Sequence, residues 1–201
     1  MANYKTLIAT DFQDAREYQR AIDRCLAIRH QVFQVDQGLP RSLDCDGYDH
    51  NIHTHHLAAY DDDLRRSLRQ QEVESQRQRP AHYRGTIRRV YIPEDRDPVV
   101  SPDPFTSYVG TLRLRPGKRV DTFILDRMAV LSEHRKHDVG QHLLTTAEAL
   151  ARYKGIDLVV LHSPVTVQKF FIRYGYSVVG AIVRRPGSGV AEVPMEKRVI
   201  V

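Results

Sequence analysis

The segment from Leu125 to Leu144 constrains the fold more than any other part of the chain. A strand ends there in a basic turn, Arg135-Lys136-His137, and the turn opens a helix. The spacing predicts that helix over 138–154. Val139, Leu143, Ala147, Leu150 and Ala151 share one face, and Gly155 is the C-terminal stop. Leu158 to Leu161 follows as a continuous apolar run, which reads as a buried strand. The first amides of a helix have no intrahelical partners, and the helix dipole there favours negative charge. A pyrophosphate at this turn would receive backbone N–H bonds. Arg135 and Lys136 would add countercharge, and Gly140 would allow close approach to the backbone.

The remaining segments extend this unit into a mixed sheet with helices. Residues 4–9 read as a short strand. Residues 14–35 read as a helix carrying Ile22, Cys25, Leu26, Val32 and Phe33, which Gly38 and Pro40 stop. An Asp-rich polar stretch leads to a strand at 56–60. From Asp61 to about Ser107 the chain turns rich in Arg, Gln, Asp and Pro. That stretch is read as an insertion between the second and third strands of a single domain spanning 1–201. It carries helical patterning over 61–79, a strand at 86–92 and then a proline-punctuated loop; Asp61-Asp62-Asp63 reads as a solvated turn. Strands are expected at 108–114 and 122–131, a helix at 164–174, and last strands at 177–183 and 193–200. The predicted order is β-α-β-insert-β-β-α-β-α-β-β, an α/β (α+β) fold and not a doubly wound sheet.

Composition narrows the setting. The 201 residues are 41% hydrophobic and 27% charged, as in soluble globular proteins. The two cysteines, Cys25 and Cys45, are expected as free thiols in a reducing compartment. No apolar run approaches the roughly 20 residues of a membrane span, and the N-terminus lacks the marks of a signal peptide. A cytoplasmic location is the expectation, with a nuclear one open. The net charge of +5 suits a polyanionic ligand, but no zinc-finger or aromatic RNA-binding pattern supports nucleic acid as the partner. His50, His53, His55 and His56 lie near Cys45, Asp46 and Asp49, but their spacing matches no closed zinc pattern, so no metal is expected.

Three groups of residues carry a resemblance to a known family. Met128-Ala129-Val130 followed by Arg135-Lys-His-Asp138-Val-Gly140 resembles the apolar-Ala-Val strand and Arg-x-x-Gly-x-Gly turn of the GNAT superfamily of acetyl-CoA-dependent N-acetyltransferases. Phe170-Phe171-Ile-Arg-Tyr174-Gly175-Tyr176 resembles that family's Phe-Tyr-x-x-x-Gly-Phe. Upstream, Arg29-His-Gln-Val32-Phe33, Gln37-Gly38-Leu39-Pro40, Asp46, Asp49 and His56-Leu57 resemble one branch of small GNAT proteins. The resemblance implies a mixed, mostly antiparallel sheet flanked by helices. It implies acetyl-CoA as co-substrate, held by Met128, Ala129, Val130, Arg135, Lys136, His137, Asp138, Val139, Gly140 and Gln141. GNAT proteins are often dimers, so a homodimer is compatible with it.

The implied chemistry is direct attack of a primary amine on the acetyl thioester in a ternary complex. The acceptor would be a small amine such as an amino acid, polyamine or amino sugar; a protein lysine or N-terminus is the alternative. The amine must lose a proton, and Asp126 is the candidate acceptor, on one strand face with Met128 and Val130. A backbone amide near Val130 could stabilise the oxyanion. The insertion could cover the acceptor side. Two positions depart from the pattern. Phe171 stands where the family often has an acid tyrosine, leaving Tyr174 as the substitute three residues on. Asp138 replaces the first glycine; an acid there is expected to cap the helix, but turned outward it would weaken coenzyme A binding. Two rivals stay open: a catalytically silent coenzyme A-binding or interaction module, and the acyl-homoserine-lactone synthases. Those synthases share the fold and an Arg-x-x-Val-Phe-like helix, though Arg135 to Gly140 favours an acetyl-CoA enzyme.

Overall fold

Alternation along β2 (His55–Asp61) shows how the layers are built. Leu57 and Ala59 enter one apolar cluster, and Ala58 between them enters another. Successive strand side chains point to opposite faces, so the sheet is covered on both. In this computed structural model, residues 3–78, 107–184 and 189–199 are described.

One face carries α1 (Ala15–Arg29), whose Ala21, Ile22, Cys25 and Ile28 are buried with Ala58 and Tyr108. Asp14 caps α1, accepting from the amides of Arg16 and Glu17 at 2.9 and 3.0 Å. The helix continues as a π-helix over His30–Asp36, so the expected helical stretch is present with a changed winding in its last part. The other face carries α3 (Val139–Tyr153), with Val139, Leu143, Leu144, Ala147 and Ala151 inward. Gly110 on β3 (Tyr108–Pro116) permits this close packing. A Cβ there would lie 3.0 Å from Val139 Cγ1 and 3.2 Å from Leu143 Cδ1.

The sheet has the order β1-β2-β3-β4-β5-β8-β6, with β7 also on β8. β1 is Tyr4–Ile8, β4 Thr122–Val130, β5 Leu158–Pro164, β6 Ser177–Val178, β7 Val183–Arg184 and β8 Ala191–Arg198. All pairings are antiparallel except β4 with β5. A mixed, mostly antiparallel sheet flanked by helices is therefore present.

Three local differences have physical causes. The strand expected at 177–183 is split into β6 and β7. Pro194 of β8 accepts from the Val179 amide at 3.0 Å but has no N–H to return. Gly180 also lies so close that a Cβ would meet Pro194 Cγ at 2.7 Å. The Asp61–Asp63 run is not a solvated turn: Asp61 accepts from the amides of Asp63 and Leu64 and starts α2 (Asp62–Gln78), while the buried Asp62 pairs with Lys5 and Arg66. The helix expected from Pro164 begins only at Gln168, because β5 runs to Pro164; α4 is Gln168–Arg173. The first part of the expected insertion is thus α2, and the strand expected at 86–92 lies outside the described residues. Cys25 and Cys45 are free thiols, and burial pushes the Cys25 thiol up to about 11.

Candidate active site

β4 and β5 pair only from Thr122↔Leu158 to Ile124↔Val160. Beyond that point both strands continue, β4 to Val130 and β5 to Pro164, and they part. A bulge explains the parting. Thr111 and Arg113 of β3 face Ala129 and Asp126 of β4, so β4 carries an extra residue there. Arg127 within this bulge has φ 52°, a conformation rare for a residue with a side chain. The two strands open onto a cleft of about 1020 Å³.

The basic turn stands at the rim of this cleft. Lys136 and Asp138 have φ 66° and 58°, so two left-handed residues in three reverse the chain before α3. Such a turn aims successive backbone N–H groups at one concavity, a shape that binds anions. The first helical bond at this end runs from the His142 amide to the Asp138 carbonyl at 2.9 Å, so the amides of Val139, Gly140 and Gln141 precede it. Asp138 does not cap α3: its side chain accepts no cap hydrogen bond. The left-handed backbone, which the signature fills with glycine and which Asp tolerates better than most residues, displaces the carboxylate from the capping position.

Arg135, Lys136, Asp138, Val139, Gly140 and Gln141 line the cleft, as do Met128 and Val130. Ala129 instead points into the core under α1, and His137 lies beside Tyr4, with ring centroids 6.4 Å apart. The Arg135 guanidinium donates to the Val130 carbonyl at 2.9 Å and lies 3.5 Å from Asp36. The neighbouring Leu131 amide donates to Val109 on β3 at 2.9 Å. Amides alternate sides along a strand, so the Val130 N–H points into the opening. A Cβ on Gly140 would lie 3.0 Å from Met128 Cε and 3.4 Å from Phe170 Cζ; the glycine thus makes room for these two side chains. Tyr174 lines the cleft and donates to Gln141 Oε1 at 3.1 Å, whereas Phe171 is buried in the core.

Beneath the opening lies a network of four arginines and four aspartates drawn from separate segments. Arg113 is fully buried. It donates to Asp46 at 2.6 and 2.8 Å, to Asp49 at 2.9 Å and to Asp126 at 2.7 and 3.0 Å. The equally buried Arg29 donates to Asp44 at 2.8 Å and to Asp49 at 2.5 Å. Arg127 reaches Asp46 at 2.9 Å, and Arg115 reaches Asp126 at 2.8 Å. Burial alone would raise the Asp46 and Asp49 carboxyls. The hydrogen bonds and charges of Arg113 and Arg29 outweigh it, holding Asp46 well below the usual carboxylate range and lowering Asp49 as well. Both oxygens of Asp126 accept from guanidinium groups, so this carboxylate holds Arg113 and Arg115 in place. The network also explains the upstream motifs. Arg29, Asp46 and Asp49 are members, and His56 donates through Nε2 to the Asp49 carbonyl at 3.1 Å. Among the described residues, no group of three or more His, Cys, Asp or Glu is placed to hold a metal ion.

His56 carries a pH dependence. Burial holds its imidazole down at about 4 from the usual 6.5, only partly offset by the Asp49 carbonyl, and Nδ1 is buried without a partner. The unfolded chain therefore binds this proton more readily, and stability falls as pH drops from 6.5 toward 4. Between pH 7 and pH 5 the expected loss is about 2 kcal/mol. His55, also lowered chiefly by burial, adds in the same sense. Losses from Asp46 and Asp49 begin only below their ordinary value of 3.8. Urea unfolding of the wild type and His56→Gln at the two pH values checks this; the variant should lose most of the difference.

The sequence puts His162 just after the buried strand at 158–161, where it could border the cleft or be a structural histidine. It is exposed on β5, and continuing the β4–β5 register by two residues puts it opposite Asp126, just past the point of parting. Its signal was weak: one histidine after an apolar run.

Known proteins share this architecture. The chain aligns over 98% of its length with an acyl-CoA N-acyltransferase from Pseudomonas aeruginosa, covering 99% of that chain at 18% identity and a TM-score of 0.64. It aligns over 98% with Escherichia coli ElaA, covering 100% at 16% identity and a TM-score of 0.63. Residues 88–178 match the family model described as acetyltransferase (GNAT) domain. The chain has a GNAT acetyltransferase fold. An aminoglycoside 6′-N-acetyltransferase solved with coenzyme A shares the GNAT fold at 11% identity and a TM-score of 0.53, with 99% of this chain and 98% of that one aligned. No curated protein matches the sequence. No helix among the described residues is long and apolar enough to cross a membrane.

Proposed function

We propose that the protein is an acetyl-CoA-dependent N-acetyltransferase acting on a primary amine of a small molecule. The observation that carries this reading is the opening between β4 and β5 with the anion-binding turn at its rim. The amides at the start of α3 and the Lys136 ammonium take the pyrophosphate, with Asp138 as an opposing charge. The acyl arm lies along Met128 and Val130, where the inward Val130 N–H meets the thioester carbonyl and stabilises its oxyanion. The amine nitrogen forms a bond to the acyl carbon as the carbon–sulfur bond breaks. Tyr174 is the one phenol among the described residues that line the cleft; on releasing Gln141 its hydroxyl serves the departing thiolate. Asp126 acts as a positioning group, fixing Arg113 and Arg115, rather than as the proton acceptor. None of the described residues of α2 lines the cleft.

Thiol release from acetyl-CoA over a panel of amines tests the reading. Release that requires an amine, with acetyl recovered on its nitrogen, is the expected result. Binding of acetyl-CoA without release for any small amine, peptide lysine or peptide N-terminus would instead mark a silent binding module.

A further inference from the structure

A second, smaller cavity opens beside the cleft where β4 and β5 part. It measures about 230 Å³ and is lined by Asp46, Arg115, Ile124, Asp126, Arg127 and His162. Leu125, Asp126, Arg127 and His162 border both spaces, so the two are joined at the point where the strands diverge. A molecule in the small cavity would meet an acyl group in the cleft across that junction.

The polar atoms left over in this cavity have a definite sense. Both oxygens of each aspartate already accept from arginines. The arginines are not saturated in return. Arg115 spends only Nε, on Asp126, while its guanidinium lies 4.5 Å from the centroid of the Tyr48 ring. Its two Nη groups donate to no described residue. Arg127 spends Nε on the Asp44 carbonyl and Nη2 on Asp46, leaving Nη1. The His162 ring likewise bonds to no described residue. The cavity therefore offers guanidinium donors suited to a carboxylate and an imidazole nitrogen able to accept a proton.

Charge balance favours one class of guest. Arg29, Arg113, Arg115 and Arg127 match Asp44, Asp46, Asp49 and Asp126 one for one. A neutral network welcomes a zwitterion and gives a polyamine no net attraction. The volume lies below the roughly 300–1,000 Å³ usual for drug-sized ligands, which suits a small molecule.

We infer that this cavity is the acceptor site and that the acceptor is an amino acid, bound through its carboxylate by Arg115 and Arg127 with its amino group beside His162. The inference rests on the acetyltransferase reading above. The ammonium gives one proton to His162, and the free amine attacks the thioester carbon. As the nitrogen–carbon bond forms and the carbon–sulfur bond breaks, the thiolate takes the Tyr174 hydroxyl proton and the second amine proton restores Tyr174, giving the N-acetyl amino acid and coenzyme A. His162 returns its proton to water.

The test uses the full-length protein, acetyl-CoA and matched acceptors: L-phenylalanine and L-methionine, their carboxamides, and the corresponding amines without a carboxylate. Free amino acids are expected to show kcat/KM at least about tenfold above their carboxylate-free counterparts, because a site built for hydrogen bonding rejects an analogue that lacks the group. Arg115→Gln should raise the amino acid KM about tenfold or more with kcat little changed, and Arg115→Lys should recover part of that loss. His162→Gln should lower kcat roughly 10²-fold or more near neutral pH and recover as pH rises and free amine accumulates. Thermal melts of each variant separate these effects from misfolding. Equal or better turnover of carboxylate-free amines, or an amino acid KM indifferent to Arg115→Gln, overturns the inference. So does bound acetyl-CoA with no transfer to any carboxylate-bearing acceptor, which leaves coenzyme A binding standing. Failure to bind acetyl-CoA at all removes the acetyltransferase reading, and this inference falls with it.

Discussion

Replacing Arg113 by methionine should destabilise the protein by about 3–5 kcal/mol, the usual penalty for stranding a buried charge. Arg113 alone touches Asp46, Asp49 and Asp126, which come from two distant parts of the chain. Without it, Asp49 keeps Arg29 as its one arginine partner, and Asp46 keeps Arg127 and the Tyr48 amide. Asp126 is left with Arg115. Methionine fills much of the space but offers no donor. Arg113→Lys should lose less, since one ammonium keeps the charge but cannot reach three carboxylates in a fixed fork. The loss in Arg113→Met should shrink below about pH 4, where stranded carboxylates take up protons. Urea denaturation of the three proteins reads these differences directly. A loss under about 1 kcal/mol would mean that the network does not hold the floor of the site together.

The second large effect lies at the turn before α3. Asp138 and Lys136 both stand in left-handed backbone at the rim of the cleft, with opposite charges. Asp138→Gly should tighten acetyl-CoA binding roughly fivefold to tenfold by removing a negative charge near the pyrophosphate. It should also stabilise the fold by about 1 kcal/mol, because glycine adopts this conformation without strain. Asp138→Asn separates the two contributions, gaining affinity with little change in stability. Lys136→Glu should weaken binding by roughly tenfold to a hundredfold. Parallel calorimetric titrations and thermal melts check all three, and identical affinities across them would remove the pyrophosphate from this turn.

Much of the scaffold is legible in the sequence because it is written in local period. The apolar spacing of α3, the continuous run of β5 and the stops at Gly155 and Gly38 depend on near neighbours, and the structure follows them. The turn before α3 is legible for the same reason. What is not legible depends on contacts between distant segments. Nothing near Arg113 in the chain shows that it will meet Asp46, Asp49 and Asp126; only the pairing of β2, β3 and β4 brings them together. The bulge at Arg127 has no glycine to announce it, and it sets where β4 leaves β5. His162 gains its position from that parting. Asp126 fits the pattern of a base on the strand before the turn, and its pairing with Arg113 and Arg115 of β3 is set across strands, where local spacing does not show it.

The most direct test of the account is a calorimetric titration of the full-length protein with acetyl-CoA. The account predicts one site per chain, with a Kd in the range of about 1–100 µM typical of enzyme substrates. Absence of binding at millimolar acetyl-CoA would contradict it, because the cleft between β4 and β5 would then serve a different ligand.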